Sequence, residues 1–390
     1  MNIAFLVKFR HKSVIHCAAK KADWVMTERF EGERKTLDAL TSALESLPHA
    51  HAEISKVEHP FNGMGRTIDA AIDLEIAGKE VVLLVEIKKA VYPRDVRQLL
   101  WQMRDLRNTY IHERKTQVVA LVAADSISQG ARALLQAEDV GFFDTGGSLF
   151  IPAKGAYLYI DRPVPKTFEK SVRTLFTGKR SQVLHALLIK QDEWLGVTGL
   201  SHIAEVSPAT ASETLTMLEK MEWVSARGQG PSKERRVSNA PGLLNEWKTQ
   251  IQASRRQLPR RRYYVPGGDL SALAHRIAMH CEGERIEYAL TQEAAAQRYA
   301  PFLSSYSRLA IRVPPVRGVE QMLADFDARP VTEGANVDIL ETKTQSEFLF
   351  KEKVDNLWLA SPVQVYLDLL RGEGRARDMA EHIRKELLRI

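Results

Sequence analysis

The stretch Arg66–Lys89 reads RTIDAAIDLEIAGKEVVLLVEIKK, and it decides the architecture of the first part of the chain. Two apolar runs flank Ala77-Gly78-Lys79, a turn signal, so the stretch reads as a β-hairpin. A two-residue loop at Ala77 and Gly78 sets a register that places Asp69 directly across from Glu86. Side chains alternate faces along a strand, so Asp69, Asp73 and Glu75 share one face of the first strand. Glu86 and Lys88 share one face of the second. Directly opposed side chains stand about 5 Å apart. Two carboxylates and an ammonium therefore converge at the end of the hairpin distant from its turn. The run VVLLV ahead of Glu86 reads as buried on both faces, and charges at the end of such a strand call for a reason.

Two carboxylates at that separation can hold a hard divalent cation through oxygen. Such a cation lowers the pKa of a bound water and stabilises charge building on a phosphate, and a lysine beside it neutralises the same charge. This is chemistry suited to phosphodiester hydrolysis. Glu86-Ile87-Lys88, ending an apolar strand, resembles the core of the PD-(D/E)XK nucleases over about residues 28–150. Ile68 stands where the proline of that name would be. The resemblance implies a catalytic set of Asp69, Glu86 and Lys88, with Asp69 and Glu86 as ligands of magnesium or manganese. Asp73 ranks second to Asp69, because it lies nearer the turn, opposite Val82. The resemblance also implies a glutamate from the first helix, with Glu33 ahead of Glu28 and Glu31. A glutamine from the helix after the lysine strand is implied too; Gln98 and Gln102, four apart, share a face there.

Around the hairpin the pattern is mixed α/β. A helix is expected near Glu31–Leu47, another over Pro93–Tyr110, a strand over Val118–Ala123 and a helix over Ser128–Ala137. Short strands follow at Gly141–Phe143 and Leu149–Pro152. The first domain is set at residues 1–160, a linker at 161–180 on the proline pair of DRPVPK, and a mostly helical block at 181–240. A basic helix and linker fill 241–267, and a third, α+β domain runs over 268–390.

The 390 residues are 44% apolar and 27% charged, an ordinary globular composition for more than one domain. No run approaches the roughly 20 apolar residues of a membrane span. The opening MNIAFLVKFRHK does not read as a secretory signal. Cys17 and Cys281 cannot build a disulfide framework or a four-cysteine zinc site, so a reducing cytoplasm is expected. Net charge is +6, but it is unevenly placed. From Asp161 to Arg262, 18 Lys and Arg face 10 Asp and Glu, a balance of +8, and the remainder sums to −2. A basic middle between near-neutral flanks is the footprint of a polyanion-binding module; an ordinary solvated basic face is the plain alternative.

That middle has an order of its own. SQVLHALLIK is a first helix, and GLSHIAEVSPATASETLTMLEKMEWV reads helix, short turn, helix. Ser207 is an N-cap with Pro208 at the first helical position. Ala211, Leu215 and Leu218 face the core, while Thr210, Ser212, Glu213 and Thr216 face out. A hairpin follows, with Gly228, Gly230 and Pro231 at its tip and Arg227, Lys233, Arg235 and Arg236 around it. The pattern resembles winged helix-turn-helix regulators over about residues 181–238. The resemblance implies a second helix in the major groove, presenting Ser207, Thr210, Ser212 and Thr216, and a basic wing on the backbone. Because the helix face lacks arginine, affinity is expected from the wing and from Arg260, Arg261 and Arg262 in the tract Arg255–Arg262.

The last block closes with VDNLWLASPVQVYLDLLRGEGRARDMAEHIRKELL, Val354–Leu388, two helices broken at Gly372-Glu373-Gly374. Its wording, with LTQEAAAQRYAPFL and VTEGANVDIL and the order of the three blocks, resembles bacterial AbiEi-type antitoxins of type IV toxin–antitoxin systems. That resemblance implies a DNA-binding regulator that represses its own operon and opposes a nucleotidyltransferase toxin. It implies a C-terminal domain of nucleotidyltransferase-like shape; without a Gly-Ser motif followed by paired aspartates, no nucleotidyl transfer is expected. The partners expected are double-stranded DNA, a cognate toxin and, for a homodimer, a second copy of the chain, with no membrane. The rival reading is a metal-dependent DNA endonuclease of a mobile-element or defence system, targeted by its winged helix. A third is an interaction scaffold.

Overall fold

The computed structural model describes residues 31–61, 66–111, 116–253, 260–302, 305–342, 347–372 and 374–390. The chain divides into two compact units, Met1–Lys170 and Ser171–Ile390. Among the described residues no helix is long and apolar enough to cross a membrane.

In the first unit, residues 31–45 are helical (α1) and lead to β1 (Ala50–Phe61), β2 (Arg66–Ile76) and β3 (Lys79–Val91). Helix α2 (Pro93–Ile111) carries the chain to β4 (Gln117–Ile127), and α3 (Gln129–Ala137) carries it to β5 (Gly141–Asp144). The strands β6 (Leu149–Ala153) and β7 (Ala156–Ile160) follow. All seven strands form one sheet in sequence order. Its first three are antiparallel, β3, β4 and β5 run parallel, and β5 to β7 are antiparallel again.

The hairpin register is the one the sequence predicts. Ala70 opposes Val85, Asp73 opposes Val82 and Ile76 opposes Lys79. Ala77 and Gly78 form the loop with φ of 50° and 73°, the pair of positive values that a two-residue turn of primed type requires. β3 is buried on both faces for the reason its unbroken apolar run gives. Val82 and Leu84 meet Val96, Leu99 and Met103 of α2 and Ala131 and Leu135 of α3 in one core. Val81, Leu83 and Val85 meet Leu37, Leu40 and Leu44 of α1 in the other. Each such side chain taken fully from water contributes about 1.5–3 kcal/mol, so both layers hold the central strands in place.

The expected linker at 161–180 is a correction. From Lys166 it is helical: α4 (Lys166–Arg173), a short 3-10 turn over Thr174–Phe176, then α5 (Gly178–Ile189). The two prolines stop only the stretch before it, and Phe168, Val172, Leu175 and Phe176 are buried.

In the second unit α5 is followed by β8 (Leu195–Gly196), α6 (Val197–Ile203), α7 (Pro208–Lys220), β9 (Val224–Arg227) and β10 (Glu234–Val237). The three strands form a small antiparallel sheet in the order β8-β10-β9. Helix α8 (Ala240–Ala253) packs by Trp247 against Phe176, with ring centroids 5.8 Å apart.

The remainder is built on a second seven-stranded sheet. The chain runs through β11 (Arg260–Tyr264), α9 (Leu270–Gly283), β12 (Ala289–Thr291), α10 (Gln292–Tyr299), β13 (Leu309–Val313) and α11 (Arg317–Asp325). Then come β14 (Arg329–Pro330), β15 (Val337–Glu341), β16 (Glu352–Val354), β17 (Leu357–Leu359), α12 (Pro362–Leu369) and α13 (Ala376–Ile383). The sheet order is β14-β11-β15-β13-β12-β17-β16. Residues 260–264, expected in a linker, are thus a strand paired to β15 and β14.

A buried polar network pins α12 to this sheet. Arg312, 1% exposed, donates Nε to Asp368 Oδ2 at 2.9 Å and Nη2 to Oδ1 at 2.5 Å. Thr291 and Gln364 also donate to the Asp368 carboxylate. Those bonds and the arginine hold Asp368 below the ordinary carboxylate range although its burial pushes it up. The helical middle docks on the same helix: His185 of α5 lies 2.5 Å from the N-cap hydroxyl of Ser361. Burial pushes His185 down to about 3, so it is neutral there.

Candidate functional site

Two places gather the residues singled out from the sequence. The first is the open end of the β2–β3 hairpin. Asp69 lies one residue beyond the pair Ala70–Val85, and its Oδ2 accepts the Ile87 backbone N–H at 2.6 Å. Lys88 Nζ donates to Glu86 Oε1 at 2.5 Å. Burial pushes the Asp69 carboxyl up to about 6. The Ile87 N–H and Lys88 pull it down, while Glu86 and Glu33 push it up. Asp69, Glu86 and Lys88 therefore act on one another electrostatically, and Glu33 reaches the same point from α1.

Asp73 sits four residues toward the turn, opposite Val82, and does not join this end. Gln98 and Gln102 occupy exposed positions on α2. Glu31 opens the described part of α1, and Glu28 lies outside the described residues. Among the described residues no group of three or more His, Cys, Asp or Glu is arranged to hold a metal ion. Asp69 and Glu86 each keep a second carboxylate oxygen outside the bonds named above. That donor set, with a third negative charge at Glu33, fits a hard divalent cation in chemistry.

The second place is the α6–α7 pair with the β9–β10 hairpin. Ser207 caps α7, its Oγ accepting the Thr210 N–H at 3.1 Å. Ala211, Leu215 and Leu218 are fully buried, as their spacing requires. Glu213 and Thr216 are exposed, and Thr210 and Ser212 are half-buried. The Thr216 hydroxyl donates to Ser212 O at 2.8 Å. The helix thus offers a surface of short polar side chains.

The hairpin divides its cations. Arg227 and Arg236 are exposed, with guanidinium carbons 4.5 Å and 4.9 Å from the centroid of Trp194. Arg227 also pairs with Glu234 at 2.7 Å. Lys233 and Arg235 turn instead to Glu219 of α7, at 2.8 Å and 2.7 Å. Arg235 is only 7% exposed. This corrects its expected place on the wing surface: strand alternation turns it inward, where Glu219 compensates its charge. Trp194 was missed; the signal was a lone tryptophan just before the strand that joins the hairpin.

Arg260, Arg261 and Arg262 are corrected too. In β11 their backbones pair with β15, and the side chains of Arg260 and Arg261 meet acids of the same unit. Arg260 pairs with Asp338, and Arg261 pairs with Glu320 at 2.5 Å and Glu341 at 3.0 Å. The charges of Arg260 and Arg261 are neutralised within the fold and Arg262 is half-buried, so the three do not form an exposed basic tract. Arg255 and Arg256 lie outside the described residues.

Residues 236–389 match the family model described as a transcriptional regulator, the AbiEi antitoxin of a type IV toxin–antitoxin system. Among solved structures, NolR from Sinorhizobium fredii is similar over 24% of this chain and 95% of its own, at 17% identity and a TM-score of 0.17. No curated protein matches the chain.

Proposed function

We propose that the chain is a cytoplasmic, DNA-binding transcriptional regulator of the AbiEi antitoxin kind. In this reading α5, α6, α7 and the β8-β10-β9 sheet are a winged helix-turn-helix. Helix α7 enters the major groove with Ser207, Thr210, Ser212 and Thr216 toward the base edges and phosphates. Arg227 and Arg236 lie on the flanking backbone, ordered by Trp194. The observation that carries the reading is this polar helix face beside an exposed arginine pair, in a unit whose last two-thirds match the antitoxin family. The C-terminal domain of nucleotidyltransferase-like shape opposes a cognate nucleotidyltransferase toxin, and the protein represses its own operon, as a homodimer on a two-fold site. Footprinting of the DNA upstream of its own gene tests this: a protected site there supports the reading, and protection no better than on unrelated duplex sinks it.

A second reading is supported by the hairpin end. If the first unit is a PD-(D/E)XK nuclease-like domain, Asp69 and Glu86 would hold magnesium or manganese, which would supply an activated water and charge neutralisation at a phosphodiester. Lys88 would hold its ammonium against the same phosphate, oriented by Glu86. Incubation of supercoiled, linear and branched DNA with either metal tests it, with Glu86→Gln as the control; no cleavage by the wild-type protein removes the enzyme reading.

A further inference from the structure

The C-terminal part of the second unit contains a cleft of about 540 Å³ that neither reading uses. Three arginines from distant points of the sequence line it: Arg260 of β11, Arg308 ahead of β13, and Arg375 at the start of α13. Among the described residues one carboxylate, Glu293, stands among them. Burial raises Glu293, Arg308 and Arg260 lower it and Asp338 raises it, which places two of the arginines within electrostatic reach of one carboxyl. Among the described residues the lining carries Arg260, Arg308 and Arg375 against Glu293, with Arg260 paired to Asp338. Arg260 gives one amino group to Asp338, and its Nε is buried without a hydrogen bond among the described residues.

The walls add shape. Ser305 and Ser307 line the cleft with hydroxyls, and Tyr306 supplies the aromatic surface. That ring is held by Arg298, whose guanidinium donates to its hydroxyl at 3.2 Å. Gly372 lines the cleft where a Cβ would meet Ala376 Cβ at 2.6 Å, so no side chain fills that wall.

Volumes of roughly 300–1,000 Å³ accommodate small molecules. Guanidinium groups match phosphate oxygens in pairs. An aromatic face beside such a cluster suits a base, and Glu293 and Gln292 can read its amino groups or a sugar hydroxyl. We propose that this cleft binds a nucleoside di- or triphosphate, the phosphates on Arg308 and Arg375 and the base beside Tyr306. An acidic peptide would use the arginines but leave the aromatic wall and the carboxylate without a role.

Isothermal titration of the full chain tests this, with ATP, GTP, CTP and UTP in turn, inorganic triphosphate, and an oligoglutamate peptide. At least one nucleoside triphosphate is expected to bind, and Arg308→Gln and Arg375→Gln are each expected to weaken it about tenfold or more. Arg227→Gln, on the β9–β10 hairpin, is expected to leave it unchanged. Where Arg308→Gln lowers the melting temperature, the exposed Arg375 carries the test. Absence of binding by every nucleotide at about 5 mM, which bounds the affinity near 3 kcal/mol, overturns the proposal. So does binding that survives both substitutions, inorganic triphosphate binding as tightly as the nucleotides, or oligoglutamate binding more tightly than either.

Discussion

Replacing Arg235 with Gln separates an arginine that holds the β9–β10 hairpin from arginines that would meet DNA. Arg235 is 7% exposed, and its Nε donates to Glu219 Oε1 at 2.7 Å. Its Nη1 donates to Lys233 O at 3.2 Å. Charge-assisted bonds of this kind contribute about 1.5–3 kcal/mol, and an abandoned buried charge can cost 3–5. Glu219 keeps Lys233 at 2.8 Å, so its charge is not abandoned. The loss is therefore set near the lower figure, about 2 kcal/mol. In a unit the size of Ser171–Ile390 that lowers the melting temperature by roughly 4–8 °C. The assay is thermal unfolding followed by tryptophan fluorescence, with a salt titration of DNA affinity well below the transition. Two results together would refute the reasoning: an unchanged melting temperature, and a salt slope reduced by about one unit, since Arg235 would then be a surface phosphate contact.

Arg236→Gln is expected to do the reverse, leaving the melting temperature in place and lowering the slope of log affinity against log salt by about 0.9. Glu219 is pushed up by burial, but the bonds from Lys233 and Arg235 outweigh this and hold it below its ordinary value of 4.5. Its contribution is therefore complete above that value and lost as pH falls below it, which Glu219→Gln should abolish in pH-dependent unfolding. His185, held neutral with its value pushed down to about 3, also stabilises above its ordinary 6.5. That stability declines as pH falls from 6.5 toward 3, and acid unfolding of His185→Gln should show a shallower decline across the same window. Asp69, raised from 3.8 to about 6, has the opposite sign: the folded state favours its protonated form, so its contribution falls as pH rises between those values. Asp69→Asn should flatten that fall. Any metal-dependent cleavage should vanish in Glu86→Gln.

The hairpin was legible because Ala77-Gly78 leaves little choice of register and a one-residue slip would turn every apolar side chain of β3 to the wrong face. The start of α7 was legible for a similar reason, a serine cap followed by proline. The errors have physical causes. Proline pairs end local structure but say nothing about the residues after them, so α4 was read as linker. A run of arginines looks solvated until the acids that meet it are known, and Asp338, Glu320 and Glu341 lie 59 to 80 positions from their partners Arg260 and Arg261. Arg235 shows the same limit at short range: alternation predicts that it and Arg236 face opposite ways, but only the packing of Glu219 shows which is inside. The network around Arg312 left a trace in an arginine within the apolar strand LAIRV and an aspartate within VYLDLL. Its members come together only through the sheet. The arginine-lined cleft left no local trace at all.

The measurement that bears most directly on the account is the affinity of the full chain for the duplex upstream of its own gene against a shuffled duplex of equal length, at about 0.15 M salt, where specific sites typically exceed non-specific ones by 10³ or more. A large preference for the upstream duplex is expected, with affinity reduced for both duplexes by Arg227→Gln with Arg236→Gln, and reduced for the upstream duplex alone by Thr216→Ala with Ser212→Ala. Equal affinity for the two duplexes, or a preference untouched by all four substitutions, would contradict it.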